Sequence, residues 1–220
     1  MIGDRRPRRI FDISPPVSPE LAVWPGDTPA SREVLLAIEA GASVTISTLH
    51  ATVHLGAHAD APSHYGRDAP SIEARDVALY LGPCRVIHIP ARPRSRIGPD
   101  DLPSSLDVER VLIRTGTFPD PGRFRDDFAG LEPAAVRRLH ELGARLIGVD
   151  TPSVDLFSSQ DLPAHRACLH LDVAILEGLI LDAIPEGIYE LIAPPLRLVG
   201  FDASPVRALL REYHPPEIVE

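Results

Sequence analysis

The stretch His50-Ala-Thr-Val-His54-Leu-Gly-Ala-His58-Ala-Asp60-Ala-Pro62-Ser-His64 places four histidines and one aspartate within fifteen residues. Val53, Thr52, Gly56 and Pro62 disfavour a helix here, so the chain reads as extended. In an extended chain alternate residues share a face. Positions 54, 56, 58 and 60 then point one way, and apolar Val53, Leu55, Ala57 and Ala59 the other. Residues two apart on a strand are about 6.6 Å apart, which lets His58 and Asp60 share one ion. Residues four apart are separated by about 13 Å, too far for His54 and His58 to meet at one ion unless the chain bends. Gly56 permits that bend. The reading predicts a strand that breaks near Gly56 with His54, His58 and Asp60 at its end. Imidazole and carboxylate donors suit zinc and manganese alike. Nothing distinguishes His50, which is read as structural.

A second cluster lies downstream, at His165-Arg-Ala-Cys168-Leu-His170 and at Glu177 within Asp172-Val-Ala-Ile-Leu-Glu177-Gly178. A carboxylate among apolar residues is costly to bury unless it is paired or bound to a metal. Glu177 is therefore either a ligand or the exposed edge of an amphipathic segment. Cys168 reads as an ordinary buried thiol. Asp150 and Asp155, around Thr151-Pro-Ser153, read as structural turn residues.

Short β-branched segments bounded by turn residues predict strands at Arg9–Ile13, Ser43–Val53, Arg85–Ile89, Arg110–Arg114, Arg145–Val149, Tyr189–Ile192 and Leu196–Val199. Helices are predicted at Pro133–Leu142, where proline opens and Gly143 stops the run, and at Pro205–Arg211 after Ser204. Ser71–Leu81 is a third, weaker helix. The mixture is a strand-rich α/β fold, and its strand order is not readable from the pattern. Pro25-Gly26 is a type II turn signal that presents Trp24 and Asp27 at its corners. Trp24, the sole tryptophan, either faces a ligand or plugs the core.

The chain has 220 residues, 44% hydrophobic and 24% charged, enough for one sizeable domain. Lys plus Arg is 22 and Asp plus Glu is 31, a formal charge of −9. That balance argues against a nucleic-acid partner, which needs a basic surface. The 24 prolines are spread along the chain and imply turns rather than disorder. Cys84 and Cys168 read as reduced thiols. Residues 1–9 are read as a tail and not a signal peptide, and no run is long enough to span a bilayer. A cytoplasmic protein is expected. A serine-hydrolase route is disfavoured, because no Gly-x-Ser-x-Gly elbow occurs, and His54-x-x-x-His58 lacks the glutamate of a His-Glu-x-x-His metalloprotease.

From about Phe11 to Leu210 the sequence resembles the bacterial kynurenine formamidase branch of the metal-dependent cyclase/hydrolase family. The matching motifs are Asp12-Ile-Ser-Pro-Pro, Val23-Trp-Pro-Gly-Asp27, His54-Leu-Gly-Ala-His58-Ala-Asp60-Ala-Pro62 with His64, Gly148-Val-Asp150-Thr-Pro-Ser153, Ala164-His165, Ile175-Leu-Glu177-Gly178 and Tyr189-Glu-Leu-Ile192. Ala57 stands where the family often has threonine. The resemblance implies a single swivelling β/β/α barrel-like domain over 10–220 that forms dimers or tetramers. It implies two zinc ions per subunit, with manganese equally suited to these donors. His54, His58 and Asp60 would bind one ion, and Asp60 and Glu177 would bridge to a second held by His165. His64 would be the general acid/base, and Trp24 would contact substrate. The implied reaction is hydrolysis of N-formyl-L-kynurenine to L-kynurenine and formate in tryptophan degradation, with hydroxide on the metal as nucleophile. The alternatives are another amide hydrolase of the family, such as one opening isatin, and a non-catalytic metal-binding protein. The expected partner is a small-molecule substrate, with no nucleic acid and no membrane.

Overall fold

The computed structural model describes residues 9–213, so the tail expected over 1–9 lies outside it except for Arg9. In chain order the strands begin with β1 (Ile10–Asp12), β2 (Ser31–Leu36), β3 (Ile46–His50), β4 (His58–Asp60), β5 (Leu81–His88) and β6 (Arg96–Ile97). They continue with β7 (Arg110–Arg114), β8 (Gly130–Leu131), β9 (Leu146–Val149), β10 (Ala174–Glu177), β11 (Gly187–Ile192), β12 (Ala203–Pro205) and β13 (Leu209–Glu212). The helices are α1 (Pro62–Tyr65), α2 (Pro133–Glu141) and α3 (Pro163–Leu171), each with proline in its first turn.

Nine strands form one curled sheet in the order β1-β13-β11-β5-β7-β9-β10-β4-β12. Its centre, β5-β7-β9-β10, is parallel, and the flanks are antiparallel. Central strands covered on both faces must be apolar on both. The continuous apolar runs Val111–Ile113 and Leu146–Ile147 meet that need. Alternate residues divide between two cores. Leu112, Leu146 and Leu176 pack on one face. Val111, Ile113, Ile147 and Ile175 pack on the other, under Val136 and Leu139 of α2 and Ala164 and Cys168 of α3. Each such side chain contributes about 1.5–3 kcal/mol on burial. The molecule is a single α/β domain with few helices, as the sequence implied. No helix among the described residues is long and apolar enough to cross a membrane.

Several expected elements are corrected. Pro205–Arg211 is not a helix; β12 ends at Pro205 and β13 begins at Leu209. Val206, Ala208 and Leu210 are buried, a two-residue period that the helical spacing of Val206, Leu209 and Leu210 masked in so short a window. Leu196–Val199 forms no strand. Ser71–Leu81 is two 3₁₀ turns, Ile72–Ala74 and Val77–Tyr80, separated by extended Arg75. Of Ser43–Val53 only Ile46–His50 is strand, paired with β2 in a separate two-stranded ribbon. The long extended run into His54 therefore does not exist. The chain leaves β3 at Ala51, loops past Gly56 and starts a new strand, β4, inside the main sheet.

Candidate metal centre and its pocket

Sheet register assembles the centre. Strand β4 pairs antiparallel with β10 so that Glu177 lies directly across from His58, and opposed residues share a face. Ala59 and Leu176 turn to the opposite core. His165 descends from the first turn of α3 onto the same spot, and His54 reaches it from the loop before β4.

Two glycines make the loop fit. Gly56 and Gly178 both have positive φ, +55° and +67°. A Cβ on Gly178 would stand 2.2 Å from the Gly56 carbonyl oxygen. That same oxygen accepts from His58 Nδ1 at 2.8 Å and orients the ring.

Asp60 Oδ1 lies 3.1 Å from His54 Nδ1 and 3.5 Å from His58 Nε2, while Asp60 Oδ2 lies 3.4 Å from His165 Nε2. Glu177 repeats the division, with Oε2 3.4 Å from His58 Nε2 and Oε1 3.4 Å from His165 Nε2. Most of these separations are long for hydrogen bonds. Two donors bound tetrahedrally to one zinc at about 2.0–2.1 Å stand roughly 3.3–3.4 Å apart. His58 Nε2 and both Asp60 oxygens are buried without a hydrogen-bond partner. Buried polar atoms are otherwise nearly always satisfied. The donor set fits divalent-cation binding: His58, Asp60 and Glu177 offer ligand atoms within 4.8 Å of one another, as do His54, Asp60 and His64, and His165 faces the second oxygens of Asp60 and Glu177.

The second nitrogen of each of these three imidazoles also has an acceptor: the Gly56 carbonyl for His58, Asp155 for His165 at 2.9 Å, and Asp202 for His54 at 3.2 Å. Metal-binding histidines characteristically have such partners, which fix tautomer and ring orientation. Asp155 is fully buried; it also accepts from the Ala164 and His165 backbone N–H groups and from Arg96. It therefore supplies the cap that Leu162, at the start of α3, cannot.

Charge follows this arrangement. Burial works against ionisation of Asp60 and Glu177, but the surrounding imidazoles hold both carboxyls below their ordinary range. Burial likewise opposes protonation of His54, yet Asp60 and Asp202 raise its pKa to about 9. His165 is raised well above the usual range by Asp155, Asp60 and Glu177 against the same desolvation. The buried carboxylates demand positive charge, which protons or cations supply. His64 differs: burial lowers its pKa and favours the neutral ring.

The centre forms the floor of a cavity of about 500 Å³. His64 stands on its wall, its ring 4.1 Å from that of His54 and its Nδ1 3.5 Å from Asp202 Oδ2. Trp24 also lines the cavity, half-buried, 4.9 Å from the Phe157 ring and 5.6 Å from Phe124. Gly26 has φ +100°, and the Asp27 N–H donates to the Trp24 carbonyl, which is the expected turn.

The structure thus brings His54, His58, Asp60, His165 and Glu177 together, with His64 beside them and Trp24 on the wall. His50 pairs with Glu33 on the ribbon, remote from the cluster. Cys84 and Cys168 are free and buried, and burial raises both thiols, Cys84 to about 12. Asp150 is a turn residue: its carboxylate accepts from the Thr115 and Gly116 backbone. Asp155 and Asp202 have positioning roles that sequence reasoning missed. Asp155 lay in an unremarkable turn, and Asp202 followed a predicted strand that does not form.

The chain matches the Cyclase family over residues 11–156. A potential metal-dependent hydrolase with cyclase activity is 27% identical, with a TM-score of 0.80, over 95% of this chain and 100% of that one. A predicted metal-dependent hydrolase from Bacillus stearothermophilus is 28% identical, with a TM-score of 0.79, over 94% and 100%. An isatin hydrolase bound to the product analogue thioisatinate shares the fold at 21% identity, with a TM-score of 0.81 over 94% of this chain and 93% of that one. The chain belongs to the Cyclase family.

Proposed function

We propose that this protein is a metal-dependent hydrolase of aryl amides and that its substrate is N-formyl-L-kynurenine, released as L-kynurenine and formate. The observation that carries the reading is the pairing of a buried imidazole–carboxylate cluster with an aromatic wall in one cavity. Hydrolysis of a formyl anilide needs a nucleophile at neutral pH and a proton for a poor amine leaving group. Two divalent ions held by His54, His58, Asp60, His165 and Glu177 would supply Lewis acidity and an acidified water.

The chain's own groups supply the rest. Asp202 accepts from His54 Nε2 and stands beside His64 Nδ1, so it orients both rings. That leaves His64 Nε2 to take a proton from the attacking water and return it to the departing nitrogen. Burial keeps this ring neutral and able to accept the proton. Water adds to the formyl carbon, the C–N bond breaks, and the proton ends on the aniline nitrogen. Trp24 and Phe124 offer edges and faces to the aryl ring, worth on the order of 1 kcal/mol beyond area burial.

Opening of isatin is the second reading, favoured by the likeness to an isatin hydrolase. The cavity of about 500 Å³ leaves room beyond a bicyclic ring for the amino-acid tail that formylkynurenine has and isatin lacks. The experiment is to supply each compound separately to the zinc-loaded enzyme and follow kynurenine and isatinate. Kynurenine formation is expected; turnover of isatin alone would transfer the assignment to the second reading.

A further inference from the structure

The cavity above the centre is lined by carboxylates and by no strong base. Four acids line it: Asp27, Asp150, Glu177 and Asp202. The chain has no lysine, and among the described residues no arginine lines the cavity. Arg123 and Arg125 flank Phe124 but line a separate groove, where Arg125 pairs with Asp127. Three of the four acids are engaged. Glu177 faces His58 and His165, Asp202 faces His54, and Asp150 accepts from the Thr115 and Gly116 backbone. Asp27 is the fourth. Its carboxylate accepts from the Thr52 hydroxyl at 3.4 Å, a long hydrogen bond, and among the described residues no cation pairs with it. A cleft lined by one sign of charge focuses its field and concentrates ligands of the opposite sign.

Position gives that carboxylate a task. The turn from Trp24 to Asp27 sets an aromatic wall and an acid at its two corners, and both line the cavity. Asp27 is exposed, whereas His58, His165 and Glu177 are buried, so it stands toward the mouth. A substrate with its amide at the floor and its ring against Trp24 directs its remaining substituent there. In N-formylkynurenine that substituent is a short chain ortho to the amide, with four bonds of about 1.5 Å between the ring and the α-amine nitrogen. We propose that Asp27 determines specificity: its carboxylate receives the α-ammonium of the side chain, and the cavity selects aryl amides that carry a cation there over those that carry only an anion. The substrate's own carboxylate, on the same carbon, meets no arginine and is left to solvent. This inference rests on the aryl-amide reading of the cavity and adds which of the substrate's two charges is read.

Three formyl anilides with one ring system test it on the zinc-loaded enzyme: N-formyl-L-kynurenine, the analogue that keeps the amine and lacks the carboxylate, and the analogue that keeps the carboxylate and lacks the amine. The amine-only compound should match or exceed formylkynurenine in kcat/KM, and the acid-only compound should fall roughly three- to tenfold below it, mostly through KM. Asp27→Asn keeps the acceptor for Thr52 and removes the charge. It should raise KM for both amines by a similar factor and erase the preference, and Asp27→Lys should invert it. Asp27 is exposed, so circular dichroism should remain that of the wild type. Binding is read separately. Trp24 is the sole tryptophan and lines the cavity, so its fluorescence should be quenched by the three deformylated arylamines in the same order of affinity. Equal affinity for the amine-only and acid-only compounds in the wild type overturns the inference, as does a preference that survives Asp27→Asn. Turnover of all three anilides without preference would sink the role of Asp27 and leave the hydrolase reading intact. Quenching in the expected order, lost in Asp27→Asn, with no anilide hydrolysed would do the reverse.

Discussion

Gly178→Ala is the sharpest test of how the candidate centre is built. Two contributions act on this substitution, and the structure separates them. The first is backbone conformation: φ is +67°, which costs an L residue about 1–2 kcal/mol. The second is contact: the new Cβ would stand 2.2 Å from the Gly56 carbonyl oxygen, about 1 Å inside ordinary approach. Relieving such overpacking costs about 1–3 kcal/mol, so the total is roughly 2–5 kcal/mol. The displaced groups matter more than the total. Gly56 oxygen holds His58 Nδ1, and Gly178 adjoins Glu177. Relief must therefore move one or both proposed ligands. Gly143→Ala is the control. Gly143 also has positive φ, +101°, but nothing lies within 4 Å of the added carbon. Urea unfolding should show about 1–2 kcal/mol lost in the control, with zinc affinity and turnover unchanged. Gly178→Ala should lose more stability and also weaken zinc binding at least tenfold in a chelator competition. Wild-type zinc affinity in folded Gly178→Ala would refute the argument that Gly56 and Gly178 position the ligands.

Four further outcomes are expected. Asp155→Asn should weaken zinc binding about 10–100-fold by releasing His165, and should lower stability by roughly 3–5 kcal/mol because Arg96 loses its buried partner; unchanged affinity in a chelator titration would count against Asp155 as the orienting group. His64→Ala should reduce turnover about 10²–10⁴-fold while elemental analysis finds the metal content unchanged. Chelator dialysis should abolish turnover and lower the melting temperature, and added zinc or manganese should restore both. Elemental analysis of the zinc-reconstituted chain should find two ions per chain, and a single ion would argue against the bridging arrangement of Asp60 and Glu177.

The fold was legible where one physical signal acted alone. Arg110–Arg114 is a strand with the expected bounds, since its three apolar central residues, Val111–Ile113, need burial on both faces. Pro133–Glu141 is a helix because its start, stop and apolar stripe agree. Failure came where two periods fitted one short window, as at Val206–Leu210, or where the partner strand was remote in sequence. His58–Asp60 is a three-residue strand, too short for any pattern, and exists because β10 and β12 flank it more than 100 residues downstream. The site followed the same division. His54, His58 and Asp60 were visible as a dense local cluster. Glu177 was ambiguous, since the pattern of its neighbours does not say which side of the strand faces a carboxylate. Asp155 and Asp202 were invisible as positioning groups, because a carboxylate that holds an imidazole from a turn leaves no periodic trace.

Charge balance links these late-found groups to the cations the centre would hold. Four carboxylates, Asp60, Glu177, Asp155 and Asp202, contact the histidines of this one cluster. Arg96 pairs with Asp155, and Asp202 is about half exposed to solvent, so Asp60 and Glu177 are the buried charges left for a cation to match. Without a cation the imidazoles carry that positive charge as protons, and a protonated ring nitrogen cannot donate electrons to a metal. Divalent ions in place of those protons would leave Nδ1 of His54 and Nε2 of His58 and His165 free as ligands. Asp60 and Glu177 each turn their two oxygens toward different imidazoles. That division, and not the charge count, is the ground for expecting two ions, and elemental analysis decides between one and two.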